Sequence, residues 1–298
     1  MDIIRTTREL QERSDRDRAR GQTIALVPTM GALHPGHLSL IACARERADQ
    51  VWVSIFVNPT QFNDREDFEG YPRNFEADVE SCRAAAVDVI FAPTPDQLYP
   101  QGADTWVEVG KIAESLCGAT RPGHFRGVTT VVSKLFLAAK PHFAVFGEKD
   151  YQQVAVIRRL TRDMGFDVEI VGAPILREAD GLAISSRNVR LGPAARKQAQ
   201  VLLGAIRGAE RAVAGGERRT AAILEGVEKT IGEAPLASID YAELRDPVTL
   251  AEASDRLVGP CLLALAVHFA PDPDGRGSEV RLIDNRVLHP PRKLEETS

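Results

Sequence analysis

The hydrophobic positions in the first part of the chain fall in short β-branched runs. Each is followed by a polar or glycine- and proline-rich break and then by a longer amphipathic stretch. The runs predict strands over 23–27, 51–57, 87–92, 143–147 and 168–170. The intervening stretches predict helices over 6–20, 37–48, 75–86, 128–138 and 151–164, with Thr6 or Thr7 placed to cap the first. Strand, loop, helix and strand in repeated order make an α/β fold. The form predicted is a Rossmann-like, doubly wound parallel sheet, in which ligands sit at the carboxyl ends of the strands.

The pattern changes after Leu191. Residues 193–232 are rich in Ala, Arg and Glu and read as helices broken near Gly215 and Gly216. Strands are predicted over 239–244, 261–269 and 280–286, the last two joined by the turn-forming run 271–278. This is a second, smaller α+β domain. The expected division is 1–183, 184–290 and a polar tail over 291–298.

Composition narrows the function. The chain has 298 residues, enough for one large or two modest domains, and 44% are hydrophobic, enough for a sizeable core. A formal net charge of −5 leaves no broad basic surface and argues against a nucleic-acid partner, although a local cationic cluster still suits a small polyanion. Cys43, Cys82, Cys117 and Cys261 are far apart, so reduced thiols are expected rather than a disulfide framework or a cysteine zinc site. The charged N-terminal stretch has no signal-peptide core, and no apolar run is long enough to span a bilayer. No membrane association and a cytoplasmic location are expected.

Five segments carry chemistry. Pro28-Thr-Met-Gly-Ala-Leu-His-Pro-Gly-His37 follows the first predicted strand and leads into a helix, whose N-terminus is a natural phosphate site. Gly31 and Gly36 allow close approach, and His34 and His37 can point into one space. A capped turn and a zinc site are the alternatives, the second lacking an obvious third ligand. Asn58 and Gln61 follow the next strand and offer neutral amides to a hydroxylated carboxylate, or simply form a turn. Asp78 either contacts magnesium or is a solvated helix-face carboxylate. Arg121-Pro-Gly-His-Phe-Arg-Gly127 suits an anion or is a surface loop. Gly147-Glu-Lys-Asp-Tyr-Gln-Gln153 sets Lys149 toward phosphate and Asp150 toward ribose, or caps a helix. Ile184-Ser-Ser-Arg-Asn188 brings hydroxyls and a guanidinium suited to polyphosphate.

Together, and in this order, these motifs resemble the pantothenate synthetase (pantoate–β-alanine ligase) family, within the HxGH nucleotidyltransferase and class I aminoacyl-tRNA synthetase-like superfamily. The resemblance covers most of the first domain and includes Tyr71-Pro-Arg73 and Asp180-Gly-Leu182. It implies an ATP-dependent ligase that joins D-pantoate to β-alanine through a pantoyl-adenylate, releasing pyrophosphate and AMP. It also implies ATP binding by Met30, Gly31, Ala32, Leu33, His34, Pro35, Gly36 and His37, by Gly147, Glu148, Lys149 and Asp150, and by Leu176, Ile184, Ser185, Ser186 and Arg187. His34, His37, Lys149 and Arg187 are the implied catalytic residues, with His37 also a candidate for acid–base work. Gln61, Gln153 and Met30 are implied for pantoate. Mg2+ accompanies ATP, held by Asp78 or by phosphates and water, since this chain reads Ala77-Asp78 where some members pair two acids. A homodimer is implied. The rivals are a nucleotidylyltransferase, a tRNA-charging enzyme without a tRNA-binding domain, and a non-catalytic nucleotide-binding regulator.

Overall fold

A computed structural model describes residues 1–291. In chain order the first unit contains β1 (Asp2–Ile4), α1 (Thr7–Ala19), β2 (Ile24–Thr29), α2 (Pro35–Arg45), β3 (Gln50–Ile55), α3 (Arg65–Glu69) and α4 (Phe75–Ala84). It continues with β4 (Val89–Phe91), α5 (Pro95–Leu98), α6 (Cys117–Thr120), α7 (His124–Ala139), β5 (Phe143–Gly147), α8 (Tyr151–Met164) and β6 (Glu169–Ala173). The strands form one parallel sheet in the order β1-β4-β3-β2-β5-β6. Chain progression runs one way from β2 through β3 to β4 and the other way through β5 to β6. The topological switch therefore lies between β2 and β5, where doubly wound sheets open a crevice for ligands.

The central strands are apolar without alternation because both faces are covered. Ile24, Ala25, Leu26, Val27, Val51, Trp52 and Val53 are all buried. Leu26, Trp52 and Phe91 pack against Leu10 of α1, Val132 and Phe136 of α7, and Ile157 of α8. Ala25, Val27, Val53 and Ile90 pack against Ile41 of α2 and Val79 of α4 on the other face. Thr6 caps α1: its side chain accepts from Glu9 N–H at 3.2 Å, while the Glu9 carboxylate accepts from Thr6 N–H at 3.3 Å.

Two local differences from the sequence reading have clear causes. β1 is a three-residue edge strand inside a charged stretch, too short to leave a hydrophobic pattern. α7 begins at His124 rather than at residue 128, because Gly123 adopts the left-handed conformation, φ +79°, and turns the chain into the helix.

The second unit begins at Arg177, the first ending at Leu176. The expected boundary was 183/184. The earlier break arises because 177–183 is tied to the last strand of the second unit. Arg177 pairs with Asp284 through both guanidinium nitrogens, at 2.6 and 2.9 Å, and forms a β-bridge to Ala183. The unit contains α9 (Pro193–Ala199), α10 (Val201–Ala214), α11 (Thr220–Gly232), β7 (Ala237–Arg245), β8 (Cys261–Phe269) and β9 (Val280–Leu288). Its antiparallel sheet has the order β7-β8-β9, and Leu263, Leu265, Val267 and Phe269 of β8 meet Leu202 and Ile206 of α10 and Val227 of α11. Beyond residue 291 the expected polar tail lies outside the described residues. No helix among the described residues is long and apolar enough to cross a membrane.

Candidate active site

The loop after β2 is built from below by a buried carboxylate. Thr29 Oγ1 donates to the Ser54 carbonyl at 2.8 Å and accepts from Gly31 N–H at 3.2 Å. Gly31 and Ala32 then take positive φ, +82° and +51°. Their turn lies over Asp78 of α4, whose two oxygens accept from Ala32 N–H at 2.9 Å and Leu33 N–H at 2.7 Å. A Cβ at Gly31 would sit 2.8 Å from Asp78 Oδ2, so the position admits only glycine without a shift. Asp78 is 3% exposed. It is thus not the solvated carboxylate that its helical position allowed. With both oxygens holding backbone it fits the loop better than a magnesium ion, and no group of three His, Cys, Asp or Glu among the described residues is arranged to hold a metal.

This loop delivers His34 as N-cap of α2 and His37 into its first turn. The imidazoles stack with centroids 4.0 Å apart. His34 N–H donates to His37 Nδ1 at 3.3 Å, which fixes the His37 tautomer: Nδ1 accepts and Nε2 carries the proton. Burial drives the His37 pKa down to about 3, helped by His34 and Lys149 and opposed by Asp150. His34 is lowered too, first by burial and then by Lys149. His37 is therefore a neutral donor at neutral pH with no free acceptor nitrogen. This arrangement favours hydrogen-bond donation by His37 over proton abstraction. The electrostatic influence of Lys149 and Asp150 on both rings brings the loop after β5 to the same place, across the switch point from β2.

That second loop is a single 3-10 turn, Glu148–Asp150, running into α8. Gly147 packs beneath it near Leu40 of α2. Glu148 turns its side chain back over Gly172 of β6, beside Arg158. Of the paired glutamines at the start of α8, Gln152 points inward, donating to the Ile112 and Ser115 carbonyls at 3.1 and 2.6 Å, and Gln153 is half-buried.

The loop after β3 adds Gln61, and with it Met30: Gln61 Nε2 lies 3.0 Å from Met30 Sδ. The segment Arg121–Gly127, read from sequence as an anion loop or a surface loop, buttresses Gln61. His124 Nδ1–H donates to the Gln61 carbonyl at 2.8 Å, and Arg121 donates to the same oxygen at 3.2 Å and to His124 Nε2 at 3.4 Å. Gly127 packs so tightly that a Cβ would overlap the Thr60 carbonyl. Sequence reasoning missed Tyr99, whose hydroxyl donates to buried Asn58 Oδ1 at 2.9 Å. Tyr99 follows a short polar turn and gives no signal of this contact.

The remaining expected residues divide between the units. Leu176 is 41% exposed at the end of the first unit. Ile184, Ser185, Ser186 and Arg187 lie in the second, all half-buried, in a turn closed by Arg187 N–H donating to Ser185 Oγ at 3.2 Å and Asn188 N–H donating to the Ser185 carbonyl at 3.0 Å. Asn188 anchors it from beneath through Ala183 O and Glu178.

The family description Pantoate-beta-alanine ligase matches residues 2–287, nearly the whole chain. The chain belongs to this family. Curated pantothenate synthetases support the assignment. That of Geobacter sulfurreducens is 51% identical over 97% of this chain and 99% of its own length. That of Salinibacter ruber is 48% identical over 98% and 99%. Among solved structures, the pantothenate synthetase of Thermus thermophilus superposes with a TM-score of 0.88 at 41% identity, covering 97% of this chain and 100% of that one. The pantoate-beta-alanine ligase of Francisella tularensis, complexed with Beta-gamma ATP and Beta-alanine, superposes with a TM-score of 0.77 at 34% identity, covering 96% and 97%. A pantoate–β-alanine ligase is a carbon–nitrogen ligase.

Proposed function

We propose that the chain uses ATP to condense D-pantoate with β-alanine in two displacements at this crevice. The pantoate carboxylate attacks the α-phosphorus of ATP, giving pantoyl-adenylate and pyrophosphate. The amine of β-alanine then attacks the acyl carbonyl, the C–N bond forms, and AMP leaves with the former carboxylate oxygen. The first step needs no base, because the carboxylate is already ionised. Positioning and fixed charge carry the acceleration. The observation that carries this reading is the stacked pair of imidazoles at the N-terminus of α2, His34 and His37, with His37 Nδ1 taken by the His34 N–H so that its Nε2 carries the proton.

In this reading Met30, Gly31, Ala32, Leu33, His34, Pro35, Gly36 and His37 wrap the nucleotide, with both imidazoles donating to phosphate oxygens. Gly147, Glu148, Lys149 and Asp150 hold ribose and phosphate. Leu176 of the first unit also meets the nucleotide, and in the second unit the turn of Ile184, Ser185, Ser186 and Arg187 offers hydroxyls and a guanidinium suited to polyphosphate. Gln61, Gln153 and Met30 bind pantoate. The ammonium proton of β-alanine passes to water, since His37 offers no acceptor. Magnesium enters with ATP and is carried on its phosphate oxygens. The enzyme is taken as a cytoplasmic homodimer, and light scattering on the purified protein tests the assembly.

The decisive experiment supplies ATP, Mg2+, D-pantoate and β-alanine and omits each in turn. Exchange of labelled pyrophosphate into ATP should require pantoate but not β-alanine, and AMP should appear in step with the amide. Release of ADP and phosphate, or an adenylyl group kept on the final product, would overturn the mechanism.

A further inference from the structure

The Gln61 carboxamide can face a ligand with either its NH2 or its oxygen, and the two recognise opposite partners. The surrounding network decides which. Asn58 is 1% exposed and lies between two backbone groups whose polarity cannot change. Its Nδ2 faces the Gly127 carbonyl at 3.1 Å, and its Oδ1 faces Thr60 N–H at 3.4 Å. Both contacts demand the same amide orientation. The second Nδ2 proton then points to Gln61 Oε1, 3.1 Å away. Gln61 Oε1 is thereby occupied, and its Nε2 is left facing Met30 Sδ, a weak acceptor that a ligand oxygen outcompetes.

The Gly127 carbonyl sets the orientation, the Thr60 N–H contact is long, and the other donors to Asn58 Oδ1 hold the amide in that place. Tyr99 OH supplies the shortest, 2.9 Å, with Thr60 Oγ1 at 3.0 Å; Thr60 Oγ1 and Tyr99 OH also lie 3.2 Å apart. Burial raises the Tyr99 pKa, so the phenol keeps its proton and stays a donor. Lys134 lies over the ring, 5.5 Å from its centroid, and Phe56 packs beside it.

We propose that Tyr99, acting through Asn58, is a positioning residue that locks the Gln61 carboxamide with its NH2 toward the substrate, so that the site selects an oxygen acceptor on pantoate at this point. The inference rests on the proposed assignment of Gln61 to pantoate. Tyr99→Phe keeps the ring and its packing and removes only the hydroxyl. Asn58→Asp replaces the donor facing Gln61 Oε1 with an acceptor, which favours the flipped carboxamide.

The test is steady-state kinetics of the full-length enzyme for Tyr99→Phe, Asn58→Asp, Gln61→Ala and the Tyr99→Phe/Gln61→Ala double variant, with thermal melting in parallel. Tyr99→Phe should raise KM for pantoate about five- to tenfold, the size of one lost hydrogen bond, with KM for ATP and the melting temperature unchanged. Asn58→Asp should raise it further. In the Gln61→Ala background Tyr99→Phe should add less than about twofold, because the group it positions is gone. Unchanged pantoate KM in Tyr99→Phe, or effects of the two substitutions that multiply, would overturn the proposal while Gln61→Ala still weakens pantoate. A Gln61→Ala enzyme with normal pantoate KM would instead bring down the assignment of Gln61 itself, and the positioning role with it.

Discussion

Two segments of this ligase read alike in sequence and do opposite work. Leu33-His-Pro-Gly-His37 and Arg121-Pro-Gly-His-Phe-Arg-Gly127 both place glycine, proline and histidine ahead of a helix. In the first, His37 Nδ1 accepts a backbone N–H, so its Nε2 carries the proton. In the second, His124 is the opposite tautomer, with Nδ1–H on the Gln61 carbonyl and Nε2 on Arg121, so neither nitrogen is left for an anion. The helix N-terminus alone therefore does not make a phosphate site. The first segment follows a central strand at the switch point and meets Lys149. The second follows no strand, and its helix packs against the loop after β3. The two segments differ in position on the sheet rather than in composition, and in the function proposed above the first is a binder where the second is a buttress.

The largest expected effect separates the two histidines. His37→Ala removes a donor aimed at developing phosphate charge and should cut the rate of pantoyl-adenylate formation by about 10²–10³-fold in rapid-quench measurements, with the fold intact by circular dichroism. Lys149→Ala should fall in the same range, while His124→Ala should leave KM for ATP unchanged and raise only that for pantoate. Near-normal adenylation in His37→Ala would erase the contrast.

Asp78→Ala tests what holds the first segment in shape. It leaves the buried N–H groups of Ala32 and Leu33 without acceptors, and chemical denaturation should show a loss of about 1–3 kcal/mol for each. KM for ATP should rise because the turn that presents His34 and His37 loosens. The magnesium concentration for half-maximal rate, measured at saturating ATP, should not move.

Gly127→Ala makes the matching test of the buttress. Its Cβ would push against the Thr60 carbonyl, at a cost of about 1–3 kcal/mol typical of overpacking. The displaced Gln61 should weaken pantoate, and equilibrium binding of ATP should be unaffected.

The smallest effect is in pH dependence. With a folded-state pKa of about 3 against 6.5 for the free side chain, His37 binds fewer protons in the folded than in the unfolded protein between those values. Unfolding free energy therefore rises with pH across that window, and this contribution to stability is lost as pH falls from 6.5 toward 3. Between about pH 6 and pH 8 His37 stays neutral and should add no inflection to kcat/KM for ATP. An inflection there that vanishes in His37→Gln would show the ring titrating.

The sequence by itself determined a good deal. The β-branched runs and their breaks placed β2, β3, β5 and α8 to within a few residues, because central parallel strands are apolar on both faces and leave an uninterrupted signal. The motif order assigned the family. Only the tertiary structure decided how the polar groups divide between ligand and scaffold. Asp78 reads as a solvated helix residue until α4 packs under the loop after β2. His124 and His37 are indistinguishable until the partner of each Nδ1 is in place. Tyr99, Asn58 and Gln61 form one relay only because the chain returns to the β3 loop from a distant turn. Hydrophobic periodicity is local and survives in one dimension. A hydrogen-bond partner many residues away, and the tautomer or amide orientation it imposes, exists only once the backbone has brought donor and acceptor within about 3 Å.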